Sequence, residues 1–198
     1  MTALVLASGS RTRAAMLERA GVPFTIDIAH VDEDEAKRAL RANGANAADT
    51  AETLAEMKAL KVSRRHPGAL VIGADQMLEC GAAWFDKPPD RDQAKAQLFA
   101  LSGKTHSLIA AVVAAENGSR VWHNVDRVEM TVRPLTQAFV ERYLDAAGDA
   151  VLGSVGAYQL EGLGAQLFSR IRGDFFTVLG LPLLPLLDYL RVRGVIVA

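Results

Sequence analysis

Two serines, a glycine and two arginines share the short stretch LASGSRTR (residues 6–13), which follows the apolar run ALVLA (3–7) and precedes a helical pattern. Small residues where a strand turns into a helix let backbone N–H groups approach an anion, and the helix N-terminus adds about half a positive charge. Arg13 can fork onto phosphate oxygens, and the Ser8 and Ser10 hydroxyls are further donors. The same residues also suit a plain turn with a helix N-cap, and by themselves they leave both readings open. The stretch has neither the GxxxxGK[ST] phosphate loop nor the dinucleotide GxGxxG.

Cations and carboxylates downstream bear on that choice. Lys58 lies one helical turn from both Leu54 and Val62, on an otherwise apolar side, where a lysine either snorkels or points into a cleft. Lys87, in FDKPP, stands beside two prolines that restrict the backbone, which suits a fixed cation or an ordinary exposed turn. VDEDE (31–35) offers four carboxylates, most of them expected on a solvated face. Asp75 ends the apolar run ALVIGAD (69–75), so it belongs at the mouth of a buried strand, where it can hold a divalent cation, activate water or cap a turn. An anion-binding turn, two lysines and two carboxylates suit hydrolysis of a polyphosphate with a divalent metal better than redox chemistry.

The elements that must position these groups alternate early in the chain. The pattern predicts strands at 3–7, 24–28 and 69–75, helices from Arg13 to Ala20 and from Thr50 to Arg65, and a helix over Arg91–Leu101. THSLIAAVVAA and SRVWHNVDRVEMTVR flank ENG as a hairpin, a helix follows from Thr136 to about Ala147, and a last apolar helix lies in LPLLPLLDYLRVRG. A mixed sheet is expected. The 198 residues suffice for one domain, and 22 basic against 23 acidic residues, formally −1, exclude a blanket footprint for nucleic acid or membrane. Cys80 is the only cysteine, so there is no internal disulfide, and the absence of a leader or of a 20-residue apolar run implies a cytoplasmic protein. His30, His66, His106 and His123 are not spaced as a metal set, and Trp122 reads as a strand residue of the hairpin.

Seven segments in order resemble the Maf family of nucleoside triphosphate pyrophosphatases along nearly the whole chain: LASGSRTR, VDE, LAEMKA, IGAD, DKP, LSGKTH and VGAYQLEGLGAQLFSRIRGDFFTVLGLPL. The resemblance implies one domain over residues 1–198 with an α/β fold similar to the inosine-triphosphate pyrophosphatase (HAM1) group: an elongated mixed β-sheet flanked by helices, a cleft between two lobes, and a homodimer. It implies hydrolysis of a nucleoside triphosphate to the monophosphate and pyrophosphate with Mg²⁺ or Mn²⁺. On that pattern Asp75 is the catalytic proton acceptor. Glu33 and Asp75 carry the metal, and Ser8, Ser10, Arg13, Lys58 and Lys87 hold phosphates.

Thr12, Gln76 and Glu161 occupy the family positions associated with base choice. Gln76 and Glu161 resemble the subgroup acting on 7-methyl-GTP rather than the one acting on dTTP and UTP. One carboxylate can accept from both the ring NH and the exocyclic amine of a guanine edge, a donor pair that uracil and thymine lack. The chain departs from that subgroup at Thr12, where tryptophan is usual, at Ala74, where serine stands, and at Asp86, which replaces the glycine of GKP. The expectation is therefore a purine-leaning enzyme. The alternative is a nucleotide-binding regulator of septum formation and cell division with little turnover.

Overall fold

The computed structural model describes residues 2–197. In chain order its elements are β1 (Leu4–Leu6), α1 (Arg11–Arg19), β2 (Thr25–Ile26), α2 (Glu33–Ala42), α3 (Ala47–Ser63), β3 (Leu70–Cys80), β4 (Ala83–Phe85), α4 (Arg91–Leu101), β5 (Thr105–Glu116), β6 (Ser119–Val132), α5 (Gln137–Ala147), β7 (Phe168–Arg172), α6 (Phe175–Val178) and α7 (Leu183–Val192), with 3₁₀ segments between α5 and β7. Among the described residues seven strands form one sheet, ordered β2-β1-β3-β5-β6-β7 with β4 paired to β3. β1 runs parallel to β2 and β3, whereas β4 on β3 and β7 on β6 are antiparallel. The fold is mixed α/β, as expected. Among the described residues no helix is long and apolar enough to cross a membrane.

The chain divides into two compact units: one holds the chain through Gln76, Ile109–Asp126 and the chain from Asp174 onward, the other Met77–Leu108 and Arg127–Gly173. In the first unit the uninterrupted apolar character of β1 has its cause in burial on both faces. Leu4 and Leu6 pack with Leu17 of α1 and with Leu186 and Leu190 of α7, while Val5 and Ala7 pack with Val62 of α3 and Ala29. Trp122 stacks on Tyr189 at 4.7 Å within the same unit, so it is a packing residue of the hairpin. The hairpin turn is Asn117–Gly118, both at positive φ, the geometry that matches the twist of its flanking strands.

In the second unit α4 packs on α5 and on the 3₁₀ segments. His106 lies inside it with its Nε2 2.6 Å from the Tyr158 hydroxyl, and its Nδ1 has no partner among the described residues. Tyr158 also reaches the Met130 sulfur at 3.6 Å, and the neighbouring Tyr143 donates to the Ala157 carbonyl at 3.1 Å. Burial holds the His106 ring down at about 4, because the charged form loses its water without gaining an anion.

Several boundaries differ from the sequence pattern. The strand expected at 24–28 is the two-residue edge strand β2, in which the alternation misleads: Ile26 and Ile28 are exposed. α1 begins at Arg11 rather than Arg13, because the Ser10 hydroxyl caps it by accepting from the Arg13 backbone N–H at 3.3 Å. β3 continues past Asp75 to Cys80, so Asp75 lies within a strand and not at its end. The largest omission is α2. VDEDE is the start of this helix, capped by Asp32 and acidic throughout its first turn, where the helix dipole favours negative charge.

Gly73 on β3 shows how closely α3 is drawn to the sheet. A Cβ built there would lie 2.2 Å from the Ala55 carbonyl oxygen and 2.7 Å from the Ala59 nitrogen, both main-chain atoms that cannot step aside. Gly73→Ala is therefore expected to lower the unfolding free energy by about 3 kcal/mol, read by chemical denaturation. His106 gives a pH signature. The unfolded chain takes up the imidazole proton near 6.5 and the folded chain only near 4, so stability is whole above the first value and drains as the pH falls to the second. The difference in unfolding free energy between the parent and His106→Gln is expected to fall by about 3 kcal/mol from pH 7 to pH 4.

Candidate functional site

The close approach of α3 to β3 sets Lys58 against Asp75. The Lys58 ammonium nitrogen lies 2.6 Å from Asp75 Oδ1 and 2.8 Å from Glu33 Oε1, so one cation on α3 bridges a carboxylate of β3 and one of α2. Side-chain exposures of 9% for Lys58, 6% for Asp75 and 42% for Glu33 rank the cluster from a buried pair to a carboxylate with one side in solvent. Lys58 does not snorkel: its side chain is buried and ends on the two carboxylates. Asp75 Oδ2 is buried and has no hydrogen-bond partner among the described residues. Burial alone pushes the Glu33 carboxyl up, but Lys58, then Lys37 and Arg13, outweigh it and leave it below the ordinary value. Glu33 is thus held as an anion.

Arg13 joins this cluster to the β1–α1 turn. Its Nε donates to the Gly180 carbonyl at 2.7 Å, and its Nη1 donates to the Ala74 carbonyl at 3.0 Å and the Ser8 hydroxyl at 3.1 Å. The Ser8 oxygen also accepts from the Ser10 backbone N–H at 3.3 Å. Burial lowers the Arg13 pKa while Asp75 and Glu33 act in the opposite direction, so the guanidinium keeps its charge at neutral pH. A Cβ added at Gly180 would come within 3.4 Å of Arg13 Nη2 and of Gln76 Oε1, which places these two side chains over the same glycine. Gln76 Nε2 donates to the carbonyls of Thr177 and Val178, each at 3.0 Å, so its amide orientation is fixed with Oε1 toward Gly180.

Ser8, Ser10, Arg13, Glu33, Lys58, Asp75 and Gln76 therefore come together in the first unit, with Thr12 half-buried in the first turn of α1 beside them in sequence. Of the two readings of the opening turn, the helix N-cap is present. Ser10 caps α1 through its oxygen and keeps its hydroxyl proton as a donor, whereas Ser8 supports Arg13. Lys87 and Glu161 belong to the second unit, where both are exposed. Lys87 precedes α4 next to Asp86, whose carbonyl accepts from Gln97 at 2.9 Å.

Residues 3–193 match the family of Maf-like proteins. The chain belongs to the Maf family. A nucleoside triphosphate pyrophosphatase of Paramagnetospirillum magneticum is 59% identical over 193 residues, covering 98% of this chain and all of that protein. A 7-methyl-GTP pyrophosphatase of Brucella abortus is 50% identical over 188 residues, 95% of this chain and 94% of that one. Among solved structures, a nucleoside-triphosphatase (dITP/XTP pyrophosphatase) of Mycobacterium abscessus aligns over 98% of this chain and 94% of that one, with a TM-score of 0.47 and 16% identity.

In this Maf-family chain the partners of the named residues are what sequence reasoning missed. The carbonyls of Ala74 and Gly180 that hold Arg13 have no side-chain signature, and Gly180 lies 167 positions from the arginine. Gly73 carried a signal, an isolated glycine inside a strand pattern, which marks a close backbone approach. The Lys58–Asp75 pair yields a stability test. Lys58→Met leaves a buried carboxylate uncompensated and is expected to cost about 3 kcal/mol at neutral pH, while Lys58→Met/Asp75→Asn recovers most of it, both read by denaturant melts.

Proposed function

We propose that this chain is a nucleoside triphosphate pyrophosphatase that hydrolyses a purine-leaning triphosphate, modified purines included, to the monophosphate and pyrophosphate with Mg²⁺ or Mn²⁺. The observation that carries the reading is the Lys58 ammonium bridging Glu33 and Asp75 beside the Arg13-braced turn. The names of the relatives, hydrolases acting on acid anhydrides, support it.

Water attacks the α-phosphorus, the bond between the α-phosphorus and its bridging oxygen breaks, and pyrophosphate leaves. Asp75 Oδ2, buried and without a hydrogen-bond partner among the described residues, is the atom that orients the water and accepts its proton. Ser8, Ser10, Arg13 and Lys58 hold phosphate oxygens, where the charge of the leaving group grows. Among the described residues no group of three or more metal-ligating side chains exists. The Glu33 and Asp75 oxygens nevertheless suit a hard cation, since Mg²⁺ sites commonly use one or two carboxylates with substrate phosphates and waters. When bound, that cation supplies charge neutralisation on the triphosphate and polarisation of its oxygens. Lys58 offsets the repulsion between the two carboxylates.

The family resemblance assigns Lys87 to phosphate and Thr12, Gln76 and Glu161 to base choice, and we adopt these roles. Gln76 fits as a fixed acceptor, because its amide hydrogens are already used. A homodimer is carried over on the same basis.

A panel of canonical and methylated triphosphates with Mg²⁺ or Mn²⁺ tests the reading through product identity. Pyrophosphate release is expected, with kcat lowered about 100-fold or more in Asp75→Asn. The kcat/KM preference for purines over pyrimidines is expected to shrink about tenfold in Glu161→Ala. Release of single phosphates would make the chain a phosphatase, and nucleotide binding without product would favour the regulator.

A further inference from the structure

Lys58 is the first of three cations that reach from α3 and its closing turn to the segment leading into α2. The Lys61 ammonium, one turn on, donates to the His30 carbonyl at 2.6 Å. One further turn along, Arg65 holds the Asp27 carboxylate with two bonds, Nε at 3.0 Å and Nη2 at 2.8 Å, and also donates to the Ile28 carbonyl at 3.2 Å. His66 adds its Nε2 to Asp27 Oδ2 at 2.8 Å. Between these grips Ala29 is buried and Val31 is packed against the cluster of Val5, Ala7 and Val62. His30 itself has φ +45°, a left-handed conformation that a non-glycine residue keeps only when its surroundings hold it.

The geometry points to Lys61 and Arg65 as positioning residues for Glu33. They pin residues 27–30 to α3, and thereby fix where the chain enters α2 and where the Glu33 carboxylate meets Lys58 and Asp75. The Glu33 side chain is located by its contact with Lys58 at 2.8 Å. Its distance to Asp75 is consequently set by the path of residues 27–32. That path has little apolar anchoring beyond Ala29 and Val31, and α2 has no buried residue. The two outer cations add to the His66 contact on Asp27, to the Asp27 N–H bond to the Leu6 carbonyl at 3.2 Å and to the packing of α2 on α3. Both hold exposed or half-exposed groups, so their effect falls on local order rather than on global stability. The inference rests on the proposed role of Glu33 as a metal-holding carboxylate.

The test compares the full-length parent with Lys61→Met/Arg65→Met and with Glu33→Gln. Three quantities are read: backbone amide exchange in residues 27–33, Mn²⁺ binding without nucleotide by calorimetry, and the split between kcat and nucleotide KM. The double variant is expected to exchange faster in 27–33 with a melting temperature near the parent's. It is also expected to bind Mn²⁺ about tenfold more weakly and to lose about tenfold in kcat with nucleotide KM little changed. Arg65→Lys alone, which keeps the charge but not the fork, is expected to fall between parent and double variant. Unchanged exchange in 27–33 overturns the inference, as does faster exchange with parental Mn²⁺ binding and kcat. Glu33→Gln separates the two readings. Loss there beside a normal double variant overturns the positioning role alone, whereas parental Mn²⁺ binding and kcat in Glu33→Gln overturn the metal role of Glu33 and the positioning role with it.

Discussion

Two carboxylates facing one another in a partly dry site repel, and the Lys58 ammonium between them is what makes the arrangement tolerable. Everything around it serves that contact. Gly73 and the alanines of α3 let the helix come close enough to the sheet for a lysine to reach a strand carboxylate. The N-terminus of α2 brings the third charge from the opposite direction. Arg13 lies near enough to act on both carboxylates, so two anions face two cations and the buried charge is compensated.

Arg13 is the second organising group, and it works by a different means. Its guanidinium uses a rigid fork to tie three remote backbone or side-chain acceptors together, so the turn after β1, the carbonyl preceding Asp75 and the Gly180 loop share one fixed point. A lysine there could not satisfy them simultaneously in the same planar geometry. Structural bracing is thus what Nε and Nη1 of this side chain do. Gln76 adds to the same loop by binding the Thr177 and Val178 carbonyls, so Arg13 and Gln76 are braced by one short segment.

How much was legible in the sequence depended on what each signal measures. Apolar continuity located β1 and β3, period-3.6 patterning located α3, α4 and α5, and Asn117–Gly118 located the hairpin, because all of these report burial or turn geometry directly. α2 escaped because none of its residues is buried: its start is set by the Asp32 cap and the first-turn carboxylates, and its apolar residues are three alanines and one leucine. The strand expected at 24–28 failed for the converse reason, since Ile26 and Ile28 alternate as core residues do and yet lie on an exposed edge. At the site the residue types were readable in advance. The cation that compensates them was visible only as an oddity on an apolar helix face.

By itself the sequence determined the Maf family, the mixed α/β character and the inventory of charged groups, since these follow from residue identity and local periodicity. Tertiary structure alone decided which charges meet. Lys58 has both Glu33 and Asp75 within 3 Å only because a glycine admits a helix against a strand and a helix without a buried residue brings its first turn to the lysine. Those are constraints of three-dimensional approach between segments far apart in the chain, which no local pattern encodes.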